Sequence, residues 1–325
     1  MDNIRFVAGK GWIGALWCAL AFAFAPAHAQ ERYPSKPVEV VVPWGPGGGA
    51  DILGRFVAKW METDLKGTFP VINLPGATGS IGLQKMVASG NDAHAIGVLT
   101  GDTLTMAAFP DSPFKFGEIV ALGVMIRQPS GLFAKGDGRF KSWADVIAAD
   151  KAKPGSVTVA ITGANSPDEA TVNYLASKGL KLISVPFARP GERYTAVLGG
   201  HVDLLYEQAG DIKGNLDSKA MRPLIFFATQ RLGAPFADVP VSAELGYEVL
   251  LPQMRAIVAK AGTDPKRLET LSASLGRYAA TPEFAAYLRD QYAQPDSYIP
   301  MKDAQRFLEG EITAFQKVLR MGPAK

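Results

Sequence analysis

Cysteine is nearly missing from this 325-residue chain: the only one, Cys18, lies in an apolar run near the N-terminus. No disulfide framework can be built from it, so the fold must rest on core burial. Histidine is also scarce. His28 belongs to the same N-terminal region, and His94 and His201 stand far apart without metal-ligand spacing. No serine sits in a G-x-S-x-G elbow, and no lysine follows the glycine cluster as a P-loop requires. Like charges do not gather into blocks and the net charge is only +3, which excludes nucleic acid and membrane surfaces as expected partners. A flexible linker and an internal repeat are missing too. With no metal set, no cofactor motif and no nucleophile, catalysis is poorly equipped and no catalytic residue is named.

What is present begins with a leader. Arg5 and Lys10 precede the apolar run Trp12–Ala25, and "PAHAQ" puts Ala27 and Ala29 at the small-residue positions of a cleavage site. This is the pattern of a secretory signal peptide over residues 1–29. The run is short for a bilayer, and no later stretch is long and apolar enough to cross one. Trp17 before Cys18 is too bulky for a lipoprotein signal. Removing the leader takes away Asp2, Arg5 and Lys10 and lowers the net charge from +3 to +2. The expected compartment is the periplasm, where free ATP and NAD are scarce.

After the leader, strand-like and helix-like segments alternate. "VEVVVPW", "FPVINL", "AHAIGVL", "SVTVAIT", "KLISVPF" and "VDLLYEQ" read as strands, most followed by an amphipathic helix. This rhythm predicts an α/β fold with parallel sheets covered by helices on both faces. The end of the chain differs: two long amphipathic helices, 264–291 and 301–319, separated only by "SYIP". Nearly 300 residues imply two domains. Without a linker, the chain is expected to cross between them on paired segments, 124–135 and 249–260.

The stretch "VVVPWGPGGGADILGR" concentrates four glycines and two prolines between a strand and a helix. Gly45, Gly47 and Ala50 satisfy a dinucleotide-type spacing, but the next strand ends at Asn73 with no acid to hold a ribose. A tight turn would need fewer glycines. Anion capture accounts for all of them: bare backbone approaches closely, successive amides converge, and the helix N-terminus adds partial positive charge. "NLPGATGSIG" repeats the arrangement after the neighbouring strand, at the sheet edge where α/β folds bind ligands.

"YPSKPVEVVVPWGPGGGADILGR", "NLPGATGSIG", "VPFARPGERYTAVLGGHVDLLYEQ" and "FADVPVSAELGY" together resemble, in order and spacing, the signatures of the Bug family, the periplasmic solute receptors of tripartite tricarboxylate transporters. The resemblance implies an α/β two-domain periplasmic-binding-protein fold (Venus flytrap, type II-like) with a ligand cleft between the domains. It implies a binder without enzymatic activity or cofactor, acting as a monomer. The partners would be a small carboxylate and a membrane permease of one large and one small integral protein. A co-receptor role for a sensor histidine kinase is the alternative. An exported enzyme on the same fold is a further one, and would need acids such as Asp168 or Glu207 to meet a nucleophile in the cleft. With the two crossings as hinge, residues 30–127 and 254–325 would form domain 1 and residues 128–253 domain 2.

Carried across by the resemblance, one ligand carboxylate is held by Trp44, Gly47, Gly48, Gly49, Ala50, Asp51, Ala77, Thr78, Gly79 and Ser80. Thr162, Gly163, Ala164, Asn165, Ser166, Phe187, Arg189, Tyr206 and Glu207 would read the rest of the solute. Several have a second reading. Ser166 and Glu169, with Pro167 at the first helical position, also form a capping box. Asp51 could serve its own helix, Trp44 the core, and Arg189 a surface pair with Glu192. If Arg189 faces the cleft it suits bidentate capture of a second carboxylate, and the ligand is a dicarboxylate. If Trp44, Phe187 and Tyr206 line the cleft, a flat aromatic acid also fits. The sequence departs from the family at "SPDE", "NDAHA" and Arg189, all on the side expected to set specificity.

Overall fold

The computed structural model describes residues 1–2 and 33–321; apart from its first two residues, the expected leader lies outside them. The chain begins with β1 (Glu39–Val42), α1 (Gly49–Leu65), β2 (Val71–Asn73), α2 (Ser80–Val87), β3 (Ala95–Thr100) and α3 (Gly101–Met106). β4 (Ile119–Gln128) leads through Pro129 into β5 (Ser130–Lys135). There follow α4 (Trp143–Ala152), β6 (Thr158–Ile161), α5 (Pro167–Ser177), β7 (Ile183–Pro186), α6 (Pro190–Leu198), β8 (Leu204–Gln208), α7 (Lys213–Asp217) and β9 (Met221–Phe226). β10 (Gln253–Lys260), α8 (Pro265–Ala279), α9 (Pro282–Asp290), β11 (Ile299–Pro300) and α10 (Met301–Met321) complete it.

The strands form two sheets, ordered β11-β4-β10-β3-β1-β2 and β7-β6-β8-β5-β9. Each sheet with its helices is one lobe. β1 pairs in parallel with β2 and β3, and β6 with β7 and β8. The sheets are nevertheless mixed, not parallel as the βαβα rhythm predicts. β10 runs antiparallel to β3 and β4, and β5 antiparallel to β8 and β9. The reason is topological. β4 carries the chain out of the first lobe and β10 brings it back at the same place, so the two must run in opposite directions. Gln128, the last residue of β4, pairs with Gln253, the first of β10; the segments 124–135 and 249–260 contain these points.

Both faces of the first sheet are covered, which explains the unbroken β-branched run in β1. Side chains alternate along a strand. Val40 and Val42 join Leu53, Met61, Leu271 and Phe284 on one face, while Val41 joins Leu83, Met86, Ala304 and Leu308 on the other. The second lobe packs Val159, Leu204 and Tyr174 on one face of its sheet, and Phe133, Leu205 and Val197 on the other.

Two features of the C-terminal region depart from expectation. The helix expected over 264–291 is two helices, because Pro282 cannot donate to the turn before it. Thr281 caps the second of them by accepting from the Phe284 amide at 3.1 Å. α10, in turn, does not belong to one lobe. Ala304 and Leu308 lie in the core of the first, whereas Phe315 and Val318 lie in the core of the second.

The start of α2 lies directly against the end of β1. A Cβ on Gly82 would come within 2.7 Å of Pro43 Cα and 2.9 Å of the Leu74 carbonyl oxygen, so only glycine fits without moving backbone. Gly82→Ala should lower unfolding free energy by about 1–3 kcal/mol. Urea denaturation measures this, and an unchanged midpoint would refute the close packing.

Candidate functional site

The lobes meet along a seam that begins at the glycine loop. Asp51, in the first turn of α1, folds that loop. Its Oδ2 accepts from the Gly47 amide and Arg55 Nε, both at 3.0 Å, and Oδ1 accepts from Asn73 Nδ2 at 3.0 Å. Asn73 Nδ2 also donates to the Trp44 carbonyl oxygen at 2.9 Å. These contacts hold Asp51 below the usual carboxylate range despite its burial: burial raises it, and the bonds from Arg55, Gly47 and Asn73 lower it more. Gly48 is the N-cap of α1 and makes no side-chain bond to the helix amides, leaving a positive helix end aimed at the seam.

Facing this end, a cavity is walled by Trp44, Gly48, Gly49 and Ala50 from the loop and by Thr100, Asp102, Gln253 and Arg255 from the first lobe. Thr162, Asp168, Pro190, Arg193, Tyr194, Tyr206, Glu207, Gln208 and Asp211 close it from the second. The free space is about 30 Å³, enough for about two waters.

Six charged side chains line this space, each nearly inaccessible: Arg193, Arg255, Asp102, Asp168, Glu207 and Asp211. Arg193 pairs with Glu207 inside the second lobe, and Tyr194 Oη donates to the same carboxylate at 2.9 Å. Arg255 on β10 pairs across the seam with Asp211. Two guanidiniums thus face four carboxyls, and burial of unpaired charge is costly.

A proton shared between the remaining acids reduces the excess from two negative charges to one. Thr162 Oγ1 lies 3.1 Å from Asp102 Oδ1 and 2.9 Å from Asp168 Oδ2. A hydroxyl carries one hydrogen, so it donates to one carboxyl and the other must donate to it. One of the two acids is protonated in this closed arrangement. Burial raises both, and Asp102 raises Asp168 further. Gln253 Nε2 donates to Asp102 Oδ2 at 2.7 Å, and Gln253 Oε1 accepts from the Gly101 amide at 2.7 Å. Burial likewise brings Asp211 up to about 6, against the pull of Arg255.

The expected site residues fall into three groups. Trp44, Gly48, Gly49, Ala50, Thr162, Tyr206 and Glu207 line the cavity. Thr78, Ala164 and Asn165 do not line it but lie where the lobes touch, with Ala77 beside Thr78: Thr78 Oγ1 donates to the Ala164 carbonyl oxygen at 3.1 Å, and Thr105 Oγ1 to that of Asn165 at 3.1 Å. The others stand outside. Gly47 and Asp51 shape the loop, while Gly79 and Ser80 are buried at the start of α2. Ser166 caps α5, accepting from the Glu169 amide at 3.2 Å and donating to the Gly163 carbonyl oxygen at 2.7 Å. Phe187 packs against the core of the second lobe. Arg189 does not face the cavity; its side chain is 67% exposed and pairs with Glu192 at 3.1 Å. The helix turns the buried position of α6 one turn later, to Arg193.

Sequence reasoning missed Asp102, Arg193, Tyr194, Gln208, Asp211, Gln253 and Arg255. One signal was available: Arg255 is a cation within the apolar strand "QMRAIVAK", away from its Lys260 end, a place where a charge needs a reason.

The chain matches the model of the "Tripartite tricarboxylate transporter family receptor" over residues 53–321. It is 27% identical to protein BugT of Bordetella pertussis, over 100% of this chain and 99% of that one. R. palustris Rpa4515, solved with adipate, has a TM-score of 0.82 at 21% identity, covering 89% of this chain and 98% of that one. MatC from Rhodopseudomonas palustris, with bound malate, has a TM-score of 0.79 at 22% identity, covering 88% and 100%. The same architecture is found in the periplasmic binding protein BugD, with a TM-score of 0.81 at 21% identity, covering 89% of this chain and 98% of that one.

Asp102, Asp168 and Asp211 all titrate above their unfolded values. The folded state therefore binds more protons than the unfolded one above pH ~4, and stability falls as pH rises through the raised range. Melting temperature should increase on acidification from pH 7 to about 5, and Asp168→Asn should flatten that rise. A wild-type profile that is level or falls on acidification would remove the shared proton.

Proposed function

Because the chain belongs to the tripartite tricarboxylate transporter receptor family, we propose that it is a solute receptor that traps a small carboxylate between its lobes. The observation that carries this is the helix end at Gly48–Ala50, which has no side-chain cap, built into a seam that also holds buried arginines. One carboxylate would dock on the amides of that helix end. A second would meet Arg193 from the other lobe, the role first expected of Arg189, which makes a dicarboxylate the best-fitting class. Two relatives by fold were solved with adipate and malate, respectively.

On this reading, residues 30–127 with 254–325 and residues 128–253 move as two domains about Gln128–Ser130 and Gln253. The solute docks on the open form, and contacts from the second lobe favour closure. The protein would act in the periplasm after loss of residues 1–29. It would work as a monomer without enzymatic activity and deliver its ligand to a permease of one large and one small integral protein. Asp168 and Glu207 do lie in the cavity, yet their neighbours are hydrogen-bonded threonine, tyrosine and arginine groups rather than a nucleophile with a histidine base.

A thermal-shift screen of residues 30–325 against mono- and dicarboxylic acids tests the proposal. A bound acid at 100 times its dissociation constant should add about 2.7 kcal/mol. Arg189→Ala should leave the shift intact. Arg193→Gln with Glu207→Gln, which removes both charges together, should abolish the preference for dicarboxylates. No shift with any acid would overturn the receptor reading.

A further inference from the structure

Asp211 and Arg255 have no place in the docking scheme above, although both are 3% exposed and both line the cavity. Asp211 follows β8 in the second lobe, while Arg255 belongs to β10 of the first. Their pairing therefore forms only when the lobes are closed. It is made against the N-terminus of α1: a side chain on Gly49 would collide with both the Asp211 carboxylate and the Arg255 guanidinium. A carboxylate of the protein thus occupies the position where a helix end and a guanidinium converge.

The occupancy is incomplete on both sides. Arg255 Nε and Nη1 are buried donors without a hydrogen-bond partner, and Asp211 Oδ1 is a buried acceptor without one. A guanidinium gains most from a carboxylate that engages it bidentately. Asp211 is tethered to the other lobe and engages Arg255 through Nη2 only. A free carboxylate, unconstrained by a chain, could take the remaining donors.

We propose that Arg255 is a carboxylate-binding residue of this receptor and that Asp211 is its internal competitor, holding the site in the empty closed form until a solute carboxylate displaces it. The inference rests on the receptor reading and adds a determinant of affinity and of the empty-state conformation. Gln208 Oε1 also accepts from Arg255 Nη2 at 3.4 Å, and the titratable groups facing the pair fit this exchange. Glu207 of β8 adds negative charge and disfavours the ionised Asp211, Arg193 of α6 favours it, and Tyr287 of α9 stands near the guanidinium without charge. Glu207 and Arg193 are already paired with each other, so Asp211 is the acid free to leave.

The experiment compares wild type, Asp211→Asn, Arg255→Gln and the double variant. Succinate, malate and adipate binding would be measured by calorimetry, and the empty proteins by small-angle scattering. Self-competition multiplies the apparent dissociation constant by the inverse of the fraction of molecules with a free site, so Asp211→Asn should bind about tenfold tighter. Arg255→Gln should lose binding. In the Arg255→Gln background, Asp211→Asn should change nothing, which separates competition from a general effect on folding. Empty Asp211→Asn should also be more expanded than empty wild type. Unchanged or weaker binding by Asp211→Asn would overturn the proposal and make Asp211 a ligand contact or a structural partner. If no acid binds any variant, the receptor reading fails instead. The scattering comparison then still decides whether Asp211 holds the empty lobes together, and equal dimensions would reject it.

Discussion

Charge that has been taken out of water must be answered, and the seam between the lobes is organised by that requirement. Four carboxyls and two guanidiniums sit there almost without solvent. At these depths a lone ion would cost several kcal/mol, so each has been given a partner, a proton or a helix end. Arg193 and Glu207 answer each other within one lobe. The other answers span the seam: Arg255 to Asp211, and Asp102 through Thr162 to Asp168. The closed shape is thus written partly in electrostatics. On the reading proposed above, an incoming anion would change the terms by replacing one of these partners.

The glycine loop makes sense within that constraint. Its backbone is held from behind by Asp51, Arg55 and Asn73, which leaves its forward amides available. The acid in the first turn of α1 serves the loop, where its carboxylate accepts from Gly47, Arg55 and Asn73. Rigidity behind and open donors in front are what a recognition loop needs if little ordering is to be lost on binding.

Much of this was legible in the chain itself. The strand positions, the glycine loop and the S-x-x-E cap of α5 all follow from local chemistry that needs no partner. Strand direction was not legible. Nothing in "VLLPQMRAIVAK" says that it must run against β3; only the return of the chain from the second lobe dictates it. Nor was the pairing of the cavity acids, because Asp102, Asp211 and Arg255 are brought together from positions more than 40 residues apart in sequence. Arg189 and Arg193 show the limit most plainly. They sit one helical turn apart in the same motif, and only packing decides that the second is buried with Glu207 while the first reaches solvent.

The last helix has an implication for how such a molecule moves. α10 is rooted in the first lobe by Ala304 and Leu308 and in the second by Phe315 and Val318, with Phe315 also against Phe109 at 6.1 Å. The lobes are therefore joined by three tethers, two of them strand crossings and the third a stiff rod about 30 Å long. A three-point suspension cannot swing freely about an axis through two of its points. Either the rod's far end slides within its socket, or the second lobe turns about the rod as about an axle. On the two-domain reading proposed above, the second alternative would make opening a twist, with the mouth of the cleft widening on the side away from α10.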